Sequence, residues 1–311
     1  MPRTLAARTR KRGAKRSRKR KRTRRFALPR RRARPDYAPE RAFSRRRAVI
    51  ALEVETPVRT LSHDLHACFE GWSALPRRRH LESDVAFDAC RAQVGHVLQG
   101  VGWDLRQANG TPHQPDRVRA IAWNVERGKR FDALRGALLE DPRLADADLL
   151  LLTEVDMGME RSGNRHIAQE LAESLGMGFV FANFHLVLSR GDRGEQDLAG
   201  NNGDAMHGCA LLTRLPVTRV ASVPLPEFRD KFHSLEKRLG CKRALLCELM
   251  LPDGPLTVVV VHLDPFSPPR HRARQMRRIL GALEKFRGGP RVLLGGDLNT
   301  TTTDMGGAAG L

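Results

Sequence analysis

The chain has 311 residues, with 55 Lys and Arg against 35 Asp and Glu and an apolar fraction of 41%. That is room for one large domain with appendages, or for two domains, and it is apolar enough for a real core. No run reaches the ~18 apolar residues of a membrane span. The five scattered cysteines form no C-x-x-C pair, which excludes a zinc ribbon and a disulfide framework and makes reduced thiols in a cytoplasmic setting the expectation.

The formal charge of +20 has one location. Residues 1–47 carry 22 of the Lys and Arg, with only Asp36 and Glu40 as acids, and the remaining 264 residues hold 33 charges of each sign. Like charges at this density repel and little can be buried, so a disordered Arg/Lys-rich tail is expected. It reads either as an arm that neutralises phosphate in a salt-dependent way or as a plain solvated tail. Its few aromatics, Phe26, Tyr37 and Phe43, argue against sequence-specific recognition of single strands by the tail. Ser44-Arg45-Arg46-Arg47 has a trace of a twin-arginine export signal, but Glu53 and Glu55 interrupt the apolar segment that would have to follow.

Residues 48–116 carry weaker signals. Ser83 is placed to cap a helix on which Phe87, Cys90, Val94 and Val97 recur at helical spacing. His63, His66, His80 and His96 have no metal-ligand spacing. Residues 107–116 contain Asn109-Gly110, Pro112 and Pro115 and read as a linker. A partly helical extension over 48–116 is therefore expected to precede a domain over 117–311.

From Arg117 the pattern sharpens. Residues 118–124 alternate as a strand ending at Asn124. Residues 131–140 place Leu134 and Leu138 at i, i+4 on a helix. Residues 148–154 are a short apolar run ending in Glu154, as in a strand buried on both faces. Ile167, Leu171 and Leu175 mark a helix closed by Gly176, and a strand follows at 179–181. Strands over 209–212 and 217–223 are separated by Pro216. Residues 243–251 and 256–261 flank Pro252-Asp253-Gly254-Pro255 as a hairpin. Met276, Ile279, Leu280 and Leu283 give an amphipathic helix, and Val292-Leu293-Leu294-Gly295-Gly296 leads to Asp297 and Asn299. Strand and helix alternation makes this an α/β fold, and the hairpin makes part of the sheet antiparallel.

Several apolar runs end in a polar group: Asn124, Glu154, His262, and Asp297 with Asn299. Each taken singly is an ordinary turn or cap residue. Together, on one sheet edge, they would form a pocket of hard oxygen ligands suited to Mg²⁺, with Mn²⁺ as a substitute, and with groups able to orient or deprotonate a water. In an extended backbone Asp297 and Asn299 would point to the same side.

The segments Ile121-Ala122-Trp123-Asn124, Leu151-Leu152-Thr153-Glu154, His207-Gly208-Cys209-Ala210-Leu211-Leu212-Thr213-Arg214, Val261-His262-Leu263 and Gly295-Gly296-Asp297-Leu298-Asn299 resemble, in this order, the motifs of the endonuclease/exonuclease/phosphatase superfamily. That superfamily includes deoxyribonuclease-I-like nucleases, apurinic endonucleases, neutral sphingomyelinases and inositol-polyphosphate 5-phosphatases. The resemblance spans residues 117–311. It implies a four-layer α/β sandwich with two mixed sheets and metal-dependent phosphoester hydrolysis. It gives Glu154 and Asn124 the metal, Asp297 the attacking water, Asn299 the scissile phosphate, and His262 a supporting catalytic place. Arg161 and His207 are expected to line the substrate site.

The family's closing Asp-His motif has no counterpart in the twelve residues after Asn299, which contain Asp304 and no histidine. The expectation is a chain truncated relative to its family, with a second sheet incomplete at the C-terminus and weak or no activity in isolation. The alternative function is then a basic nucleic-acid-binding protein with a degenerate domain. As a substrate, nucleic acid is favoured over phospholipid or inositol phosphate by the cationic tail.

Overall fold

In the computed structural model the described residues are 49–110 and 117–300. The expectations for residues 1–47, for the linker past Gly110 and for the stretch after Thr300 lie outside them.

The chain enters through β1 (Ile50–Glu53) and β2 (Val58–Arg59), then α1 (His66–Ala74), α2 (Arg78–Glu82), α3 (Val85–Val97), β3 (Val101–Asp104) and the short α4 (Arg106–Gly110). It next alternates through β4 (Ala120–Arg127), α5 (Phe131–Glu140), β5 (Leu149–Met157), α6 (Ile167–Leu175) and β6 (Gly178–Val187). Then come β7 (Met206–Thr213), β8 (Val217–Pro224), β9 (Arg238–Gly240), β10 (Arg243–Leu251), β11 (Gly254–His262), α7 (Pro269–Phe286) and β12 (Arg291–Asp297).

One sheet has seven strands in the order β2-β3-β6-β7-β5-β4, with β9 added beside β6, and the other has five in the order β1-β8-β10-β11-β12. β4 with β5, and β11 with β12, are parallel pairs. The remaining pairs are antiparallel, so both sheets are mixed.

Side-chain alternation sorts the layers. On β5, Leu150 and Leu152 pack among α3, α5 and α6, while Leu149 and Leu151 face the seam between the sheets. On β11, Val258 and Val260 enter that seam, and Val259 and Val261 lie with Ile279, Leu283 and Phe286 of α7. The order is helices, sheet, sheet, helix: the four-layer α/β sandwich. β5 reads as a continuous apolar run because both its faces are covered.

Three local outcomes differ from the sequence reading. The cap of α3 is Asp84, whose Oδ1 accepts the Phe87 amide at 2.8 Å. The Ser83 hydroxyl instead donates to the Arg79 and His80 carbonyls, at 3.1 Å each, and so belongs to the end of α2. β6 runs well past residues 179–181. Its polar Asn183 and His185 break the apolar run yet are buried, with the Asn183 amide donating to the Val97 carbonyl at 3.0 Å. Residues 50–104 do not stand in front of the sheets. β1 extends the five-stranded sheet beside β8, and β3 joins the seven-stranded sheet beside β6. Strands of four residues or fewer are too short for alternation to announce them.

Other local readings hold as drawn. Gly176 takes φ 61 at the end of α6, where a Cβ would be strained. Pro252 and Asp253 form the two-residue loop between β10 and β11, since Leu251 pairs with Gly254.

His166 heads α6. Its Nδ1 accepts the Gln169 amide at 3.3 Å, and its ring lies against Phe179 and Phe181, with centroids 5.0 and 5.6 Å away. Burial pushes its pKa down to about 4 from the usual 6.5. Above pH 6.5 neither folded nor unfolded chain protonates this histidine. Between 6.5 and about 4 only the unfolded chain does, so stability falls as pH drops through that window. His166→Gln is expected to flatten this part of a melting-temperature profile. An unchanged profile would remove His166 as the cause.

Candidate active site

The polar strand ends meet at the seam between the two sheets. On β4, Asn124 shares a face with Ala122, and Ala122 lies close to Gly295 of β12 across the seam. On β11, His262 follows Val258 and Val260 toward the seam, and it pairs in register with Asp297 of β12. Asp297 in turn follows Leu293 and Gly295 toward the same seam. Simple alternation therefore aims three of the four groups.

Glu154 is the exception. Alternation would aim it with Leu150 and Leu152 into the helix layer. A β-bulge intervenes, with register shifts between Thr153 and Val155 against β7 and at Asn124–Arg127 against β4. Glu154 takes φ 54, and beyond it Val155 and Met157 occupy the helix side in place of even-numbered residues. A bulge of this kind re-aims a side chain at the cost of local strain. Glu126 (φ 48), Arg127 (φ 69) and Asn299 (φ 49) share the left-handed region. Four strained non-glycine residues thus gather at one place.

Gly296 completes the approach of β12. It has φ 130, and a Cβ there would collide with the Val261 carbonyl of β11. Only glycine permits this contact, and with it the pairing of His262 and Asp297.

The Asn124 amide nitrogen donates to Glu154 Oε1 at 3.2 Å and to Asp297 Oδ2 at 3.0 Å. One carboxamide thus ties a carboxylate from each sheet. Asn124 Oδ1 accepts the Glu126 amide at 3.1 Å. His262 Nε2 stands 3.9 Å from Glu154 and 3.8 Å from Asp297. Burial, and then the charge of Lys242, hold the His262 pKa well below its usual value, so its imidazole is neutral. Two carboxylates are therefore held together by neutral partners, with the Arg127 Nε 4.0 Å from Glu154 Oε2. The carboxylates are partly open, with side chains 26% and 28% exposed, while His262 is 5% exposed.

Asn299 does not project beside Asp297. The chain turns after β12, the Asn299 backbone N–H donates to Asp297 Oδ1 at 2.9 Å, and its side-chain nitrogen donates to the Leu263 carbonyl at 2.9 Å. Its reach is spent in holding Asp297 and the end of β11.

Arg161 and His207 do not line an open site. Their side chains are 1% and 5% exposed. Arg161 grips Asp156 through two hydrogen bonds, at 2.6 and 2.9 Å, and also meets Glu236 at 2.5 Å and Glu195 at 3.2 Å. His207 Nδ1 is 2.7 Å from the same Asp156. Three buried carboxylates draw the guanidinium inward. This cluster backs the site through Arg127, which pairs with Glu195 and, at 2.7 Å, with Asp192.

The sequence reading passed over Arg127 and Lys242. Lys242 is buried, donates to the Leu263 carbonyl at 3.1 Å, and is brought down to about 7 by that burial. Neither sits in a motif, and only its burial distinguishes it from an ordinary surface charge.

The endonuclease/exonuclease/phosphatase family pattern matches residues 121–310. Solved structures similar to this chain include an endonuclease/exonuclease/phosphatase from Beutenbergia cavernae, at 20% identity and TM-score 0.41 over 60% of this chain and 48% of that one. A family protein from Leptotrichia buccalis is similar at 14% identity and TM-score 0.42, over 62% of this chain and 73% of that one. A humanized D. rerio TDP2 is similar at 16% identity and TM-score 0.38, over 62% and 67%. The chain spans about half the length of the Beutenbergia protein. No curated protein matches.

Proposed function

Since this chain belongs to the endonuclease/exonuclease/phosphatase family, we propose that it is a metal-dependent phosphoester hydrolase whose centre is Glu154, Asn124, Asp297 and His262. The observation that carries this reading is the meeting of Glu154 and Asp297, from different sheets, on the one amide of Asn124.

The donor set fits a hard cation. Two carboxylates side by side, with only Arg127 at 4.0 Å from one of them among the described residues, suit Mg²⁺ or Mn²⁺, which one or two carboxylates hold while substrate phosphate completes the shell. Among the described residues no three His, Cys, Asp or Glu side chains are arranged to hold a metal ion by themselves, so substrate phosphate or water would complete the shell. Glu154 is the ligand in this proposal, and Asn124 joins it if its amide turns over to present oxygen. When bound, the cation would neutralise charge growing on the phosphoryl oxygens.

The chain's own groups do the rest. Asp297 is oriented from both sides, by Asn299 N–H on Oδ1 and by Asn124 on Oδ2. It can take a proton from a water as that water's oxygen bonds to phosphorus and the ester oxygen leaves. The neutral His262 can share a hydrogen bond with a phosphoryl oxygen without repelling a cation. Arg127 and the buried cluster behind it restrain Glu154. Nucleic acid is the favoured substrate, because residues 1–47 carry a charge of +20. The test is hydrolysis of bis(p-nitrophenyl) phosphate and of labelled DNA with Mg²⁺ or Mn²⁺ present. Turnover abolished by chelator is expected. Failure on these substrates and on sphingomyelin and inositol phosphates would overturn the proposal.

A further inference from the structure

The connection from β8 to β9 and the loop from β11 to α7 face each other across a cleft of about 330 Å³, lined by Phe228, Arg229, Lys231, His233 and Phe266 among others. The cleft adjoins the candidate active site. Its Asp264 is two residues past His262 and follows Leu263, whose carbonyl accepts the Asn299 side-chain nitrogen at 2.9 Å.

Its composition is uncommon for a solvated loop pair. Phe266 is 82% exposed and Phe228 is 40% exposed. Phe228 is braced, with the His271 ring centroid 5.3 Å away and the Arg229 guanidinium 5.4 Å from its own centroid. The acids of the cleft are already committed. Asp230 accepts two hydrogen bonds from Arg78, at 2.9 and 2.6 Å. Asp264 accepts from Gln275 at 3.0 Å and lies 3.3 Å from His271 Nε2. Arg229 and Lys231 form no ion pair within 4.0 Å among the described residues, and the Glu227 carboxyl acts on Lys231 only through its charge. The cleft therefore offers two cations that no close ion pair holds in place. Positive charge continues onto α7, where Arg270, Arg274 and Arg277 recur at i, i+4 and i+7 on the exposed face.

We infer that this cleft is a nucleobase subsite, and that the substrate is a single-stranded nucleic acid. An unpaired base next to the scissile phosphate stacks on Phe266 and Phe228. The flanking phosphates meet Lys231, Arg229 and the arginines of α7. A ring face can be used only by an unpaired base, since a duplex keeps its base faces stacked. Inositol phosphate would match the cations but leave two phenyl rings without a partner. A membrane would favour rings on a protruding tip over rings that line a cleft beside a buried histidine.

The placement beside the scissile phosphate rests on the hydrolase reading, but the test measures binding alone. The full chain, without divalent cation, is titrated by fluorescence anisotropy against two labelled single-stranded oligomers of equal length, one with bases and one abasic. The basic tail meets the same phosphates in both, so the difference reports base stacking. The base-bearing oligomer is expected to bind about ten-fold more tightly. Phe266→Ala should remove most of that difference, and Phe266→Trp should keep it. Lys231→Ala should weaken both oligomers and reduce the salt slope. Equal affinity for the two oligomers would overturn the inference, as would a difference that survives both Phe266→Ala and Phe228→Ala. If Phe266→Ala instead weakens binding to phosphatidylserine vesicles and leaves the oligomer difference intact, the cleft belongs to a membrane contact and the inference also falls. Absence of hydrolysis would count against the proposed function and leave this result standing.

Discussion

Asp297→Ala is expected to lower metal-dependent phosphodiester hydrolysis by about 10²- to 10⁴-fold, the usual contribution of a positioned general base. The side chain accepts hydrogen bonds from the Asn299 N–H and from the Asn124 amide, so its orientation is set before substrate arrives. Removing it takes away the proton acceptor and frees Asn124 to pair with Glu154 alone. The fold has little at stake, because the side chain is 28% exposed and one of two adjacent like charges disappears. The melting temperature of the metal-free protein should hold or rise slightly. A divalent cation should raise the melting temperature of the wild-type protein by mass action, and that rise should shrink in Glu154→Gln. Hydrolysis within ten-fold of wild type in Asp297→Ala would remove Asp297 from the proton-transfer role. A cation-induced rise undiminished in Glu154→Gln would remove Glu154 as a ligand.

The second large effect is on stability. Arg161→Leu is expected to cost about 3–5 kcal/mol, the range for removing one partner of a buried ion pair. In a domain of this size that corresponds to a fall of roughly 10 °C in melting temperature. Glu195 would keep Arg127 and Lys129, and Glu236 would keep Arg238. Asp156 would keep His207, which burial holds well below its ordinary pKa and therefore neutral, and the Ser162 hydroxyl at 3.4 Å. A fully buried carboxylate would thus lose its one direct cationic contact among the described residues. Joining Asp156→Leu to Arg161→Leu should recover part of the loss, because an apolar pair avoids the uncompensated charge. Calorimetric melting of the two variants checks this. A loss below about 1 kcal/mol for Arg161→Leu would mean that water reaches the cluster.

Much of the architecture was legible in the residues. The helix of Ile167, Leu171 and Leu175 and the hairpin around Pro252-Asp253 follow from local periodicity and turn chemistry, which need only neighbours in sequence. The polar groups Asn124, Glu154, His262 and Asp297 stood out because each follows an apolar run that has to be buried. The short strands β1, β2 and β3 were not legible. They are held by pairing with β8 and β6, distant partners that local pattern cannot reveal.

The same division governs the candidate site. The sequence by itself determined that Asn124, His262 and Asp297 close apolar strands. Period-two alternation puts each on the face of the residues two and four before it, and the packing of the sheets made that face the seam. The sequence also determined a family, through the order of five motifs. Only the tertiary structure decided the remainder. A bulge at Glu154 breaks the alternation that would have turned it into the helix layer, and bulges depend on the register of neighbouring strands. Asn299 turns back onto Leu263 because the chain bends after β12 instead of staying extended. Arg161 and His207 go inward because Asp156, Glu195 and Glu236, from three separate segments, supply more buried negative charge than those segments can satisfy alone. Burial and charge balance are properties of the assembled layers, and no single stretch of the chain contains them.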